Sequence, residues 1–587
     1  MTVFWGSLLK KYIQSYLGLH LIFLIIAMIL FLPLLLNGEL VTWRDSQFHI
    51  TRFHELIMAQ QNGHFFSDII KYSGTNSWGY GLNFFYPTYL FYPLIFLWRL
   101  TKLPVTSILI FDIIVVYFAL WSNFAIVYKI TSKIKLAFTF ALTYVLTAAI
   151  GNAILDNVAV VRIAYMTQYA SNIVILLAPV VVLSFYNIIF LHDNRTWLRA
   201  AIYSSFVVML SIPTTLGIVL TVLCMVVVAY FKRQLSINDM NQLLRSVLLT
   251  LGLSAAFVFP FIEQRLANNW ANLPNNPDLF GANFSTVLMK IFNLSDVLSL
   301  LIIGLTALLI FYKKFNYVYK ILGLSYIVAL LFLYSNLFPW YLFNRELSGA
   351  LQMTYRWHFM PAILGSLFVA FAITDLMKIK QKMLPIVSVM LIYLSFNGMM
   401  LNTVAKNCHV DGFNNATNHI VAPNKDNLKT DSLFGVTNDN IQVMLDRPSL
   451  ALDDYRAQGQ ERNAKIIYSD SLVQFDKQIL PNRTMVKGQD FYIIGVPRNT
   501  RSVQTPITYL KGFAAFDTQG KRLKAYKNKG GFLYVNPSGA KTIRLTYHKT
   551  LVHQISLIIF IITWLALGGY WLIYFIKGMF YTSRLKH

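Results

Sequence analysis

At 587 residues, 56% of them hydrophobic and only 13% charged, with a mean hydropathy of +0.53, the chain lies far from the balance of a soluble globular domain and reads as a polytopic membrane protein. The formal charge of +25 raises nucleic acid as a partner, but there is no long basic tail and much of the excess sits in short loops between apolar runs, which argues against it. Two cysteines, Cys224 in an apolar run and Cys408 in a polar one, leave no disulfide framework or cysteine metal site.

A hydrocarbon core of about 30 Å asks for about 20 apolar residues per helix. The first such run, "YLGLHLIFLIIAMILFLPLLLN" from Tyr16, follows Lys10 and Lys11. It is longer than a signal-peptide core and lacks a small-residue cleavage site, which predicts a retained anchor with a cytoplasmic N-terminus.

Directly after it, "VTWRDSQFHITRFHELIMAQQNGHFF" gathers titratable groups. Asp45, His49, Arg52 and Glu55 recur at three- and four-residue steps and share one helical face, leaving Phe48, Phe53, Leu56 and Ile57 for the lipid headgroups. An aspartate held there can act as general base on an acceptor hydroxyl, with basic neighbours stabilising a departing phosphate. An amphipathic interface helix with solvated charges explains the same spacing. A metal site from Asp45, His49 and His54 lacks a further strong ligand at helical spacing, so no metal is assigned.

Next, "YSGTNSWGYGLNFFYPTYLFYPL" offers Gly74, Gly79 and Gly81 for close backbone approach, and tyrosines including Tyr80 and Tyr86 for sugar or isoprenoid contact. An aromatic belt at a membrane interface accounts for it equally. Residues 84–100 are apolar enough to span, yet a full crossing there inverts the charge pattern of every later loop, so the segment is re-entrant or has a further crossing as partner.

Further spans are expected near 106–128, 134–151, 171–191, 197–212, 214–231, 243–262, 295–312, 317–336, 357–377, 383–403 and 552–576, for about 12–14 in all. Lysines and arginines fall in alternate loops, which the positive-inside rule puts in the cytoplasm with the tail from Lys577; 37–83, 152–170, 263–294, 337–356 and 404–550 then lie outside. In the second outer loop Arg162 stands among apolar residues, as a phosphate contact or a snorkelling side chain. In "NRELSGALQMTYRWHFMP", Gln352 and Arg356 lie four apart on one helical face and fit either a lipid-phosphate clamp or an interface anchor.

Residues 404–550 change character: "DFYIIGVP", "ITYLKGFAAFD", "GFLYVNP" and "KTIRLTYH" alternate apolar and aromatic residues between turn formers. The chain thus divides into a multi-span domain (1–403), a β-rich extracytoplasmic domain (404–550), and a final helix with a short tail (551–587). The β-rich part holds 21 Lys and Arg against 12 Asp and Glu, a net +9 that an exported domain does not need for topology. A polyanionic neighbour or mere solubility explains it.

Taken together, these stretches resemble the bacterial YfhO-like membrane glycosyltransferases of the GT-C fold superfamily. Asp45, His49 and Arg52 are similar to that family's Asp-x-x-x-His-x-x-Arg element. Gly79-Tyr80-Gly81 and Phe85-Tyr86-Pro87 are similar to its Gly-Tyr-Gly and Phe-Tyr-Pro-Pro stretch, and Gln352 to Arg356 to its Gln-Phe-Pro-x-Arg element. Thr88 replaces the second proline, and the second loop keeps Arg162 without the expected acid.

The resemblance implies a multi-pass protein of the bacterial cell membrane with both termini cytoplasmic. It further implies a polyprenyl-phosphate sugar as donor and an anionic envelope polymer, such as a teichoic or lipoteichoic acid, as acceptor. A donor synthase and a flippase would act upstream. Asp45 takes the catalytic role, with His49, Arg52, Glu55, Tyr80, Tyr86, Arg162, Gln352 and Arg356 binding substrate and no cofactor. No Walker-type glycine pattern is present. Two rival readings are a carrier of lipid-linked sugars, for which Asp112 is a candidate ionisable group inside a span, and a non-catalytic envelope assembly protein.

Overall fold

The computed structural model describes residues 2–42, 46–61, 63, 81–150, 169–268, 284–285, 289, 297–343, 354–380, 434–439, 441, 473–476, 478–480, 485–487 and 491–584. Most of these are helical. In chain order the helices are α1 (Thr2–Asn37), α2 (Ser46–Gln61), α3 (Tyr92–Thr101), α4 (Pro104–Thr131), α5 (Ile134–Ile150), α6 (Tyr169–Phe190) and α7 (Trp197–Leu210). There follow α8 (Ile212–Phe231), α9 (Ile237–Leu253), α10 (Ala255–Ala267), α11 (Val297–Phe311), α12 (Tyr317–Tyr334), α13 (Phe359–Lys380) and α14 (Leu551–Arg584).

Among the described residues, six helices are long and apolar enough to cross a membrane: α4, α6, α8, α12, α13 and α14. Shorter apolar stretches fall in α1, α5, α7 and α11, where the sequence predicts spans, while 383–403 lies outside the described residues. The span expected at 243–262 is not straight: α9 and α10 meet at 78°. Ser254 leaves the helical region at the corner (φ −113°, ψ 9°) and its hydroxyl donates to the Thr250 carbonyl at 2.7 Å. Pro260 further weakens α10 because it has no N–H for the preceding turn.

Residues 84–100 do not make a full crossing. Two 3-10 turns, Leu82–Phe84 and Thr88–Phe91, precede the ten-residue α3, which rises only about 15 Å before Lys102 ends it in the left-handed region. This resolves the conflict with the loop charges.

The environment of α2 also differs from expectation. Phe53, Leu56 and Ile57 are buried in the same core as α4 and α6, as is Ile50, so the apolar side of α2 meets protein rather than headgroups. His49 and Arg52 are buried beside them, so one broad face of α2 is covered, while Met58 on the opposite side is exposed.

The β-rich region forms a nine-stranded antiparallel sheet built from β3 (Val473–Phe475), β4 (Gln478–Leu480), β5 (Met485–Lys487), β6 (Phe491–Gly495), β7 (Val503–Thr508), β8 (Phe513–Phe516), β9 (Arg522–Lys527), β10 (Phe532–Asn536) and β11 (Thr542–Tyr547). Its order is β4-β3-β7-β10-β9-β8-β11-β6-β5. Alternate residues such as Tyr492 and Ile494, or Ile543 and Leu545, fill one shared core, as the period of two requires. The run "ITYLKGFAAFD" divides between β7 and β8 at Gly512, whose φ of +123° and close approach to the His548 carbonyl suit only glycine.

Two further strands, β1 (Glu39–Thr42) and β2 (Phe434–Thr437), pair with each other and not with the sheet. Asn438, next to β2, caps α4: its Oδ1 accepts the Val105 N–H at 2.9 Å and its Nδ2 donates to Thr106 Oγ1 at 3.2 Å.

The sheet docks on α10. Gln264 bonds the Lys511 backbone in both senses, Nε2 to its carbonyl at 2.8 Å and Oε1 from its N–H at 2.9 Å. Asn268 Nδ2 donates to the Tyr509 carbonyl at 2.7 Å, and buried Glu263 pairs with Lys511 Nζ at 3.0 Å while accepting the Thr550 hydroxyl at 2.5 Å. Phe84 and Phe85 are buried in the sheet core with Phe261 against them, and a Cβ on Gly81 would lie 2.4 Å from Leu510. Gly81 and Phe85 thus contribute to the junction with the sheet.

Candidate functional site

The one-turn spacing of His49 and Arg52 on α2 sets both side chains against the bend at 86–91. Arg52 Nη2 donates to the carbonyls of Tyr86 (2.8 Å) and Pro87 (3.1 Å), and Nη1 lies 3.1 Å from His49 Nδ1. The guanidinium carbon sits 5.3 Å from the Tyr86 ring centre and 4.9 Å from that of Phe91. Rings on two sides and carbonyls at one end hold a buried cation in a fixed orientation.

Because a guanidinium only donates, His49 Nδ1 is the acceptor and the imidazole is neutral with its proton on Nε2. Burial, and then the Arg52 charge, hold His49 well below the usual histidine range. The unfolded chain therefore takes up a proton near pH 6.5 that the folded chain refuses, so stability is lost as the pH falls below that value. Thermal unfolding of the detergent-solubilised protein is expected to drop between about pH 7 and 5, by up to about 1.4 kcal/mol per pH unit. His49→Asn, which keeps an acceptor near Nδ1 but does not titrate, is expected to flatten this dependence; an unchanged slope would assign it elsewhere.

Arg52 borders a narrow pocket with about 20 Å³ of free space in its present form. Tyr86 and Tyr169 add polar groups to its lining, and Leu90, Phe111, Ile173 and Leu210 give apolar walls. The His49 ring stands edge-on to both tyrosines at 6.0 Å. Behind Tyr169, Asp112 of α4 is buried and faces the phenol, its nearest polar neighbour, and among the described residues its carboxylate meets no cation.

The structure thus brings together His49, Arg52 and Tyr86. Glu55 lies on the same helix, at a position whose side chain is outside the described residues, as are Asp45, Tyr80, Arg162 and Gln352. Arg356 is not in the pocket lining. It sits on the 3-10 turn Thr354–Trp357 against α8 and α12, with its Nε buried and without an acceptor among the described residues. His358, just beyond, shares a 2.7 Å hydrogen bond with Tyr334. Sequence reasoning missed Tyr169 and Phe111, which carry no motif; Tyr169 at the start of α6 and Phe111 about two turns into α4 meet at the pocket only through packing.

No family model matches the chain, and no curated protein matches it.

Proposed function

We propose that the chain is a multi-pass membrane glycosyltransferase of the YfhO-like, GT-C kind, with its β-rich domain on the outer face of a bacterial cell membrane. It would move a sugar from a polyprenyl phosphate to an envelope polymer such as a teichoic or lipoteichoic acid. The observation that carries this reading is Arg52, a buried cation at the head of an apolar-walled pocket. Such a site suits a phosphate attached to a long hydrocarbon better than a nucleotide or a free sugar.

In the reaction, the acceptor hydroxyl oxygen attacks the anomeric carbon, its proton passes to the Asp45 carboxylate, and the bond from that carbon to the phosphate oxygen breaks. The electron pair leaves with the polyprenyl phosphate, whose charge Arg52 stabilises, and the configuration inverts. In the chain, Asp45 directly precedes α2, the helix that carries Arg52.

The test is sugar transfer in proteoliposomes supplied with a lipid-phosphate sugar. Asp45→Asn is expected to lower turnover by about 10²-fold or more while leaving donor binding intact. Full turnover in that variant removes Asp45 as the base. One observation favours a carrier instead: the buried carboxylate of Asp112 inside α4, which meets no cation among the described residues, is the kind of group that transport pathways use. Donor movement across the bilayer without transfer, lost in Asp112→Asn, would decide for the carrier.

A further inference from the structure

The positive charge of the β-rich region is concentrated in one part of it. Residues 491–550 contain eleven Lys and Arg and a single acid, Asp517. That carboxylate is engaged by its own turn, accepting the N–H groups of Gln519 at 2.9 Å and Lys521 at 2.8 Å. Lys511 is taken up by Glu263 and Lys527 by the Ala267 carbonyl, both at the α10 junction.

The remaining cations are not scattered. Strand register sets Arg544 of β11, Phe516 of β8 and Arg522 of β9 side by side in one cross-strand row. Strands lie about 4.8 Å apart, so the two arginines are carried about 10 Å apart with an aromatic ring between them. Two residues on from Arg522, Lys524 is exposed on the same side and its ammonium lies 5.9 Å from the ring of Tyr526. Tyr526 in turn pairs with Tyr534 of β10, ring centres 5.8 Å apart. Among the described residues, none of Arg522, Lys524 and Arg544 meets a carboxylate.

We propose that this face is a docking surface for a phosphodiester-linked polyol or sugar chain. Cations repeated at regular strand spacing match anionic groups repeated along a polymer, and the charge is too dense to serve solubility alone. Aromatic rings interleaved with the cations support this occupant: the C–H face of a sugar or polyol packs on an aromatic ring while its phosphates meet the flanking cations, and the vesicle arm of the test separates it from anionic headgroups. The inference takes its biological sense from the enzymatic reading above and names the class of acceptor, but the binding requires no turnover.

The test uses the full-length protein in nanodiscs of neutral lipid. The probes are a fluorescent poly(glycerol phosphate) oligomer, neutral dextran of similar length, and phosphatidylglycerol vesicles. The oligomer is expected to bind, and to bind about 10-fold or more weakly when ionic strength rises from about 50 to about 200 mM. The combined variant Arg522→Gln, Lys524→Gln, Arg544→Gln is expected to lose at least about 10-fold in affinity. Removal of three exposed cations away from the row, Arg498, Lys529 and Lys541, is expected to lose less than about 3-fold.

Equal loss in the two triple variants, equal binding of dextran, or retention of the vesicles but not the oligomer would each overturn the proposal. Asp45→Asn is expected to bind the oligomer as wild type does. If no condition yields sugar transfer while oligomer binding still follows the row, the enzymatic reading fails and the docking surface stands.

Discussion

Arg52→Ala is expected to abolish donor binding and to destabilise the protein by about 3 kcal/mol or more. The side chain is 4% exposed and donates to two carbonyls and an imidazole; without it those acceptors stay buried and unmet, and a void opens between the rings of Tyr86 and Phe91. Arg52→Lys separates structure from charge. An ammonium keeps the cation but cannot serve both carbonyls while lying flat between two rings, so about 1–2 kcal/mol is expected to go. Donor affinity should fall about 10-fold, against no measurable binding in the alanine variant. Thermal unfolding in detergent gives the first quantity and titration with a fluorescent polyprenyl phosphate the second. Undiminished affinity in both variants would mean that Arg52 only braces the bend at 86–91.

A methyl group at position 217 is expected to act at a distance. Gly217 of α8 is buried against Trp357, and a Cβ there would fall 2.2 Å from the indole Cδ1 and Nε1. A close-packed ring has little room to retreat, so Gly217→Ala should cost about 1–3 kcal/mol and displace the turn that carries Arg356. If Arg356 helps hold the donor phosphate, the donor KM rises about 10-fold or more while Asp45 chemistry at saturation is spared, because the change is in binding rather than in the base. A stable variant with an unaltered KM would remove Arg356 from the site. Arg356→Gln, measured beside it, shows whether the guanidinium or only its placement is at issue.

The helices were legible from their apolar runs, and 84–100 is broken into two 3-10 turns and a ten-residue helix rather than one long helix. What hydropathy could not convey is which apolar surface meets protein. Phe53 and Leu56 read as headgroup contacts because their spacing is that of any amphipathic helix; only the packing of α3 and α6 around α2 shows them enclosed. The corner at Ser254 was equally hidden, since serine is tolerated in straight helices and bends one only when its hydroxyl bonds back to the chain.

The site was legible where a motif spaced its residues along one helix, as with His49 and Arg52. It was illegible where backbone carbonyls or lone aromatics contribute. Nothing in the letters Tyr86 and Pro87 announces that their carbonyls anchor a guanidinium, and Tyr169 is one tyrosine among 33. Gly81 and Phe85 add what the motif did not announce, contacts that form the junction with the sheet.

The strand pair β1–β2 and the Asn438 cap have a consequence for the making of the protein. The bond from Val105 to Asn438 joins residues 333 positions apart, and β2 reaches back still further to the segment just ahead of Asp45. At ribosomal rates of about 5–20 residues per second, the early helices wait roughly 17–67 s for that partner to emerge. Until then β1 has no pairing strand and the start of α4 lacks its Asn438 cap, so a chain cut short before residue 434 is born without either contact. Completion of this part of the membrane domain is thereby tied to near-completion of synthesis.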